Sequence, residues 1–142
     1  MIHSSACEYA IRALTHLAVH EGERVKLREI AEIEGIPAPF LSNIFQLLLA
    51  DGLVSSARGP TGGYTLARPA PEIRLLDIRA AVDGLRDLET CAVGLPRCSD
   101  SQPCPLHTRW APVRERIRAF LTETTLDAMA AAREDGKPAA TD

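Results

Sequence analysis

The reactive side chains of this sequence crowd into residues 91–110, CAVGLPRCSDSQPCPLHTRW. Cys91, Cys98 and Cys104 are separated by six and then five residues and His107 follows closely, so four sulfur or nitrogen donors fall within seventeen positions. That density points to a single metal centre. Gly94, Pro96, Pro103 and Pro105 disfavour helix, leaving a loop whose thiolates can turn toward a common point. A structural zinc site would use the same donors, but usually at paired spacings of roughly two to four residues, and these gaps are wider. An iron-sulfur cluster spreads its irons further apart and takes thiolates, with histidine as a documented substitute on one iron. Spacing alone leaves zinc and cluster open, and a loop of free or disulfide-linked cysteines is the third reading.

The rest of the chain must position that loop. Its 142 residues suffice for one domain, or one domain with an appended element. No basic segment followed by an apolar run opens the sequence, and its most hydrophobic stretch, residues 44–50, is too short to span a bilayer. The expectation is a cytoplasmic protein with no membrane partner, in a compartment where four cysteines argue for metal or redox chemistry rather than disulfides. A net charge of -3 means that any nucleic-acid binding must come from a local basic patch. Few aromatics beside abundant Ala and Leu suit a mostly helical domain with a small sheet. No nucleophile and base constellation and no open metal site with a general base marks an enzyme.

Apolar residues recur at helical spacing from about Ser4 to His20, with Ser4 or Ser5 as cap and Glu8 near the positive end of the helix dipole. Cys7 reads as a small core residue there, and His3, His16 and His20, lacking partners at metal spacing, as surface or boundary residues. A short helix carrying Leu27, Ile30, Ala31 and Ile33 stops at Gly35, and a second begins near Pro39, which makes a helix-turn-helix. Periodicity turns Phe40, Leu41, Ile44, Leu47 and Leu48 toward a core and leaves Ser42, Asn43 and Gln46 outward, where amides can match the edge of adenine. A packing hairpin with no nucleic-acid role would look similar.

The next stretch, residues 52–67, GLVSSARGPTGGYTLA, separates the two readings. Two strand-like runs flank a glycine-rich tip, so a hairpin follows the helix-turn-helix and the pair forms a winged helix. Arg58 and Arg68 lie in a span without acidic residues, and a guanidinium at a narrow tip suits the minor groove. The tip lacks the Lys and Ser/Thr ending of a P-loop and leads into a strand, which discounts a nucleotide cradle.

A further helix is expected at about residues 75–82, ended by Gly84, and a long amphipathic helix after the cysteine loop. In that last helix Trp110, Val113, Ile117, Phe120 and Leu121 form a stripe opposite Arg114, Glu115, Arg116 and Arg118, able to pack across a two-fold axis as well as on its own domain. After Met129 the sequence should fray. The plan is mainly α with a small β-wing: a winged helix-turn-helix over residues 1–84, a cluster-binding loop at 85–107, a dimerisation helix region at 108–130 and a flexible tail at 131–142.

With EYAIRALTHLA, the stretch LREIAEIEGIPAPFLSNIFQLLLADGLVSSARGPTGGYTLARP, three loop cysteines, CPLHTRW and FLTETTL, the chain resembles the winged-helix regulators typified by IscR and NsrR, the Rrf-two family. The resemblance implies a homodimer on a near-palindromic double-stranded DNA operator, with the second helix in the major groove. Its DNA-facing residues would be Arg28, Pro39, Phe40, Ser42, Asn43 and Gln46, with Arg58, Gly59, Pro60 and Thr61 at the wing. It implies an iron-sulfur cluster on Cys91, Cys98 and Cys104, 2Fe-2S favoured and 4Fe-4S as the other form. His107 matches the fourth ligand of IscR-like members, and Glu8 stands where NsrR-like members place an acidic ligand reaching the partner subunit's cluster. The first cysteine gap is six residues where the family commonly has five, and Ser42 and Asn43 replace larger Glu and Gln, implying a different operator. The implied function is a regulator sensing redox state, nitric oxide or iron-sulfur status through the cluster. The alternative is a zinc-stabilised or thiol-switch winged helix without a cluster, acting as an interaction module.

Overall fold

The computed structural model describes residues 2–133. Six α-helices and one two-stranded antiparallel sheet occur among them: α1 (Ser5–Val19), α2 (Leu27–Glu34), α3 (Ala38–Ala50), β1 (Val54–Ala57), β2 (Gly63–Leu66), α4 (Leu75–Val82), α5 (His107–Glu123) and α6 (Leu126–Ala132). Helix α1 is central. The Ser4 side chain accepts from the Cys7 N–H and caps it, and its flank is covered by α2, α3, α4 and α6. That enclosure buries Cys7 and also His16, which was expected at the surface or boundary. The reason is the Glu34 carboxylate, itself buried, whose Oε1 lies 3.6 Å from His16 Nδ1.

Gly35 closes α2 in the left-handed region, and α3 sets off at 120° to it. Leu41, Ile44, Phe45 and Leu48 are the residues of α3 that enter the core. Phe40 and Leu47, expected inside, are 46% and 43% exposed. Both stripes have helical spacing, and Phe45 wins because the wing supplies a partner: its ring meets Tyr64 of β2 edge-on at 4.6 Å. The wing pairs Val54 with Leu66 and Ala57 with Gly63, and Val25 joins it by exchanging two backbone hydrogen bonds with Tyr64, of 3.0 and 2.7 Å. The entry to α2 is thereby tied to the wing.

The final helix of the sequence reading is two helices. Thr124 and Thr125 interrupt it by pairing with the segment before α4, Leu75 N–H donating to Thr124 O and Leu126 N–H to Ile73 O, each at 2.8 Å. Beyond that break α6 continues to Ala132, past Met129, with Leu126 fully buried in the winged-domain core. The remaining tail, residues 134–142, lies outside the described residues. On α5, Leu121 and half-buried Ile117 pack inward, and Arg118 faces the same way, donating to Leu88 O at 3.4 Å. Val113 and Phe120 are 45% and 48% exposed, so part of the apolar stripe is left open among the described residues. No single helix among the described residues is long and apolar enough to cross a membrane.

Candidate functional site

The loop between α4 and α5 is held at its root by a buried guanidinium. Arg79, near the end of α4, donates to Ile2 O at 3.1 Å, Gly84 O at 3.3 Å and Asp87 Oδ2 at 2.5 Å, so one side chain ties the N-terminal segment, the end of α4 and the start of the loop together. Ser4 and Asp83 make a second tie beside it. No motif in the sequence marked Arg79, because its three partners come from different segments.

Past that root a short 3₁₀ turn, Arg86–Leu88, leads to Cys91, whose N–H donates to Leu95 O and whose carbonyl accepts from Gly94. Gly94 has a φ of 84°, a left-handed turn that folds the loop back on itself. Cys91 and Cys104 are buried and adjacent, and Cys98 is half-exposed. The backbone N–H of Val93 draws the Cys91 thiol below its ordinary value against the effect of burial, with the Cys104 thiol and Leu95 adding to the shift. Cys104 moves the opposite way, because its thiol donates to Cys91 and burial adds to that. All four cysteines are free thiols, and Cys7 stands apart: burial, then the charge of Asp83, pushes it up to about 12.

His107 is not in the loop proper but opens α5, its N–H donating to Cys104 O at 3.0 Å. Its Nδ1 lies 3.2 Å from Cys98 Sγ and its Nε2 lies 2.7 Å from Asp100 Oδ1. With Nε2–H donating to the carboxylate, the Nδ1 lone pair faces Cys98, the orientation in which metal-binding imidazoles are held by a carboxylate behind them. Sequence reading missed Asp100, since nothing in its spacing distinguishes it from a solvated loop residue. The donors therefore stand as two pairs, Cys91 with Cys104 and Cys98 with His107. Among the described residues no three His, Cys, Asp or Glu side chains close around a point suited to one metal ion. Two pairs fit a two-iron cluster, which takes two protein ligands on each iron. Glu8 lies half-buried in the first turn of α1, and no hydrogen bond joins it to the loop of its own chain among the described residues.

The second surface is the winged helix. Arg28, Pro39, Asn43 and Gln46 are exposed and Ser42 half-buried, all on the two helices of the turn. Phe40 meets the ring of Tyr9 edge-on at 5.7 Å. At the wing tip Arg58, Gly59, Pro60 and Thr61 are exposed, and none of the side-chain hydrogen bonds or ion pairs among the described residues involves Arg58. The hairpin that carries them depends on Gly63, at φ 142°, where an added Cβ would fall 2.8 Å from Val25 O.

A protein-family model described as an iron-dependent transcriptional regulator, Rrf2, matches residues 3–132. The HTH-type transcriptional regulator IscR of Serratia proteamaculans is 39% identical over 124 residues, 87% of this chain and 75% of that protein. Among solved structures, T. potens IscR superposes with a TM-score of 0.76 at 29% identity, covering 97% of this chain and 92% of that one. CymR, the global cysteine regulator of B. subtilis, superposes with a TM-score of 0.81 over 92% and 97% of the two chains, a likeness of fold at 24% identity. The relatives are regulators rather than enzymes. The chain belongs to the Rrf2 family of DNA-binding transcriptional regulators.

Proposed function

We propose that this regulator binds its operator as a homodimer and that an iron-sulfur cluster, of the 2Fe-2S type, on Cys91, Cys98, Cys104 and His107 sets its affinity. The observation that carries the ligand set is His107 held by Asp100 with Nδ1 toward Cys98, near a second pair made by Cys91 and Cys104. When bound, the cluster supplies a centre sensitive to redox state and nitric oxide. Asp100 then fixes the imidazole, Arg79 fixes the root of the loop, and burial of Cys91 and Cys104 keeps water from two of the three thiolates.

The route to DNA runs along α5. His107 begins the helix and Thr124 ends it on the segment leading into α4, so a rod of 17 residues, roughly 25 Å, connects the donors to the winged domain. The exposed Val113 and Phe120 on that rod are the surface for a second copy. A tilt of α5 changes the separation of two recognition helices that must meet half-sites about one DNA turn apart. A coupling of about 1 to 3 kcal/mol is enough for regulation. In the complex α3 reads the major groove with Ser42, Asn43 and Gln46, Arg28 and Pro39 lie beside it, and Arg58 enters the minor groove.

The test is anaerobic isolation with iron and sulfide analysis, absorbance and EPR, followed by operator titrations of cluster-loaded and cluster-free protein across salt. A coloured dimer whose two forms differ in affinity is the expected result. Colourless protein, or identical affinity and salt slope for both forms, overturns the reading.

A further inference from the structure

Cys98 lines an open cleft of about 410 Å³ whose other walls are Arg86, Glu89, Thr90, Pro96 and Arg97. Its size is within the roughly 300–1,000 Å³ typical of small-molecule sites. Arg86 and Arg97 are both exposed, and among the described residues no salt bridge occupies either, so two guanidinium forks stand free against one carboxylate, Glu89. Cys98 is the one loop thiol that is not buried, and it carries the oriented imidazole: Sγ to Nδ1 3.2 Å, Nε2 to Asp100 2.7 Å. A sulfur nucleophile thus stands in the wall of an anion-attracting cleft.

We propose that, in the chain without a cluster, this cleft receives a low-molecular-weight disulfide bearing carboxylates and that Cys98 is S-thiolated by it. Arg86 and Arg97 hold the carboxylates by bidentate hydrogen bonds, and Thr90 adds a hydroxyl to the wall. Cys98 Sγ attacks one sulfur of the ligand, a Cys98–S–S bond forms as the ligand's own S–S bond breaks, and the departing half leaves as a thiol. Its proton is the one Cys98 gives up. Cys98 is oxidised and the released half reduced, one adduct per chain, with no turnover. Cys91 and Cys104 are excluded by burial, and Cys7 lies fully enclosed in the core. The inference goes beyond the regulatory reading above, since it concerns free thiols and holds whatever occupies the loop at other times.

The experiment treats the full-length, cluster-free chain with glutathione disulfide or with cystamine, which offers the same S–S bond between cationic halves, and follows adducts by intact mass and peptide mapping. Glutathione disulfide should react at Cys98, and at least about fivefold faster than cystamine, a ratio of the size that two exposed ion pairs supply. The double variant Arg86→Ala, Arg97→Ala, which alters only exposed side chains, should lose that preference while reacting with cystamine no more slowly. Cys98→Ser should take up no adduct. An adduct mapped to Cys91, Cys104 or Cys7, equal rates for the two probes on the wild-type chain, or a preference that survives in the double arginine variant would each overturn the proposal.

Discussion

Asp100 is an exposed loop carboxylate, yet its Oδ1 stands 2.7 Å from the Nε2 of the buried His107 and decides which ring nitrogen is left for Cys98. The pair sets one sharp expectation for the donor set. Asp100→Ala frees the ring to rotate and should weaken retention of the metal group by about 10- to 100-fold. Asp100→Asn, whose carbonyl still accepts from Nε2, should lose less. Rates of bleaching under a chelator measure both, and equal retention by wild type and Asp100→Ala would remove His107 from the ligand set.

Glu34 predicts a pH dependence of stability. Burial raises its pKa, but His16, Arg133 and Arg12 together outweigh burial and hold the carboxyl below its ordinary value. Its folded pKa is thus lower than its unfolded one, so the stabilisation is complete above the unfolded value of about 4.3 and disappears as pH falls through the folded value. Glu34→Gln should cost about 2 kcal/mol at neutral pH, between the values for exposed and buried pairs because Arg12 is partly exposed. Urea unfolding from neutral pH down to about pH 3 should show the gap between the two proteins closing. A gap that stays constant would mean that charge is not its source.

Arg58 should matter to DNA and not to folding. Arg58→Ala leaves the exposed wing tip intact, and should cost about 1–3 kcal/mol on the matched operator and lower the salt slope by about 1. Fluorescence anisotropy at several salt concentrations reads both quantities. Unchanged affinity would take the wing out of the interface.

Gly63→Ala tests the tie between wing and turn. The added methyl would lie 2.8 Å from Val25 O at a backbone angle that side chains avoid, so about 1–3 kcal/mol of stability should be lost. Amide exchange at Val25 and Tyr64 should accelerate most, because those two residues share the threatened hydrogen bonds. Loss spread evenly over the domain would argue against a local tie.

Phe120→Asp addresses assembly. The side chain is 48% exposed on the monomer, so the charge has no folding penalty of note, but it should shift a dimer toward monomer in sedimentation experiments. A dimer of undiminished affinity would move the interface off this stripe.

The helix-turn-helix, the wing and the cysteine loop were legible because each depends on local chemistry: Gly35 to stop a helix, a glycine-rich tip to turn a hairpin, prolines to keep a loop open. What periodicity could not say is which of two adjacent stripes finds a partner. Phe45 beat Phe40 for the core because Tyr64 lies against it, and α5 turns Arg118 inward beside Leu121 because Leu88 O is there to accept. His16 went inside because a carboxylate from another helix met it. Arg79 was invisible for the same reason, since its role is defined by atoms up to 77 residues away, whereas Asp100 was missed because an acidic loop residue near a histidine looks like any solvated one.

Leu126, buried among the residues of the winged half, is made after the last cysteine of the loop. On the ribosome, where chains emerge from the N-terminus onward, the DNA-reading half remains without its closing hydrophobic piece until the thiols have already been synthesised. A nascent chain competent to grip an operator has therefore always exposed its cysteine loop to the cell first, so the DNA-reading surface and the thiols come of age in one event.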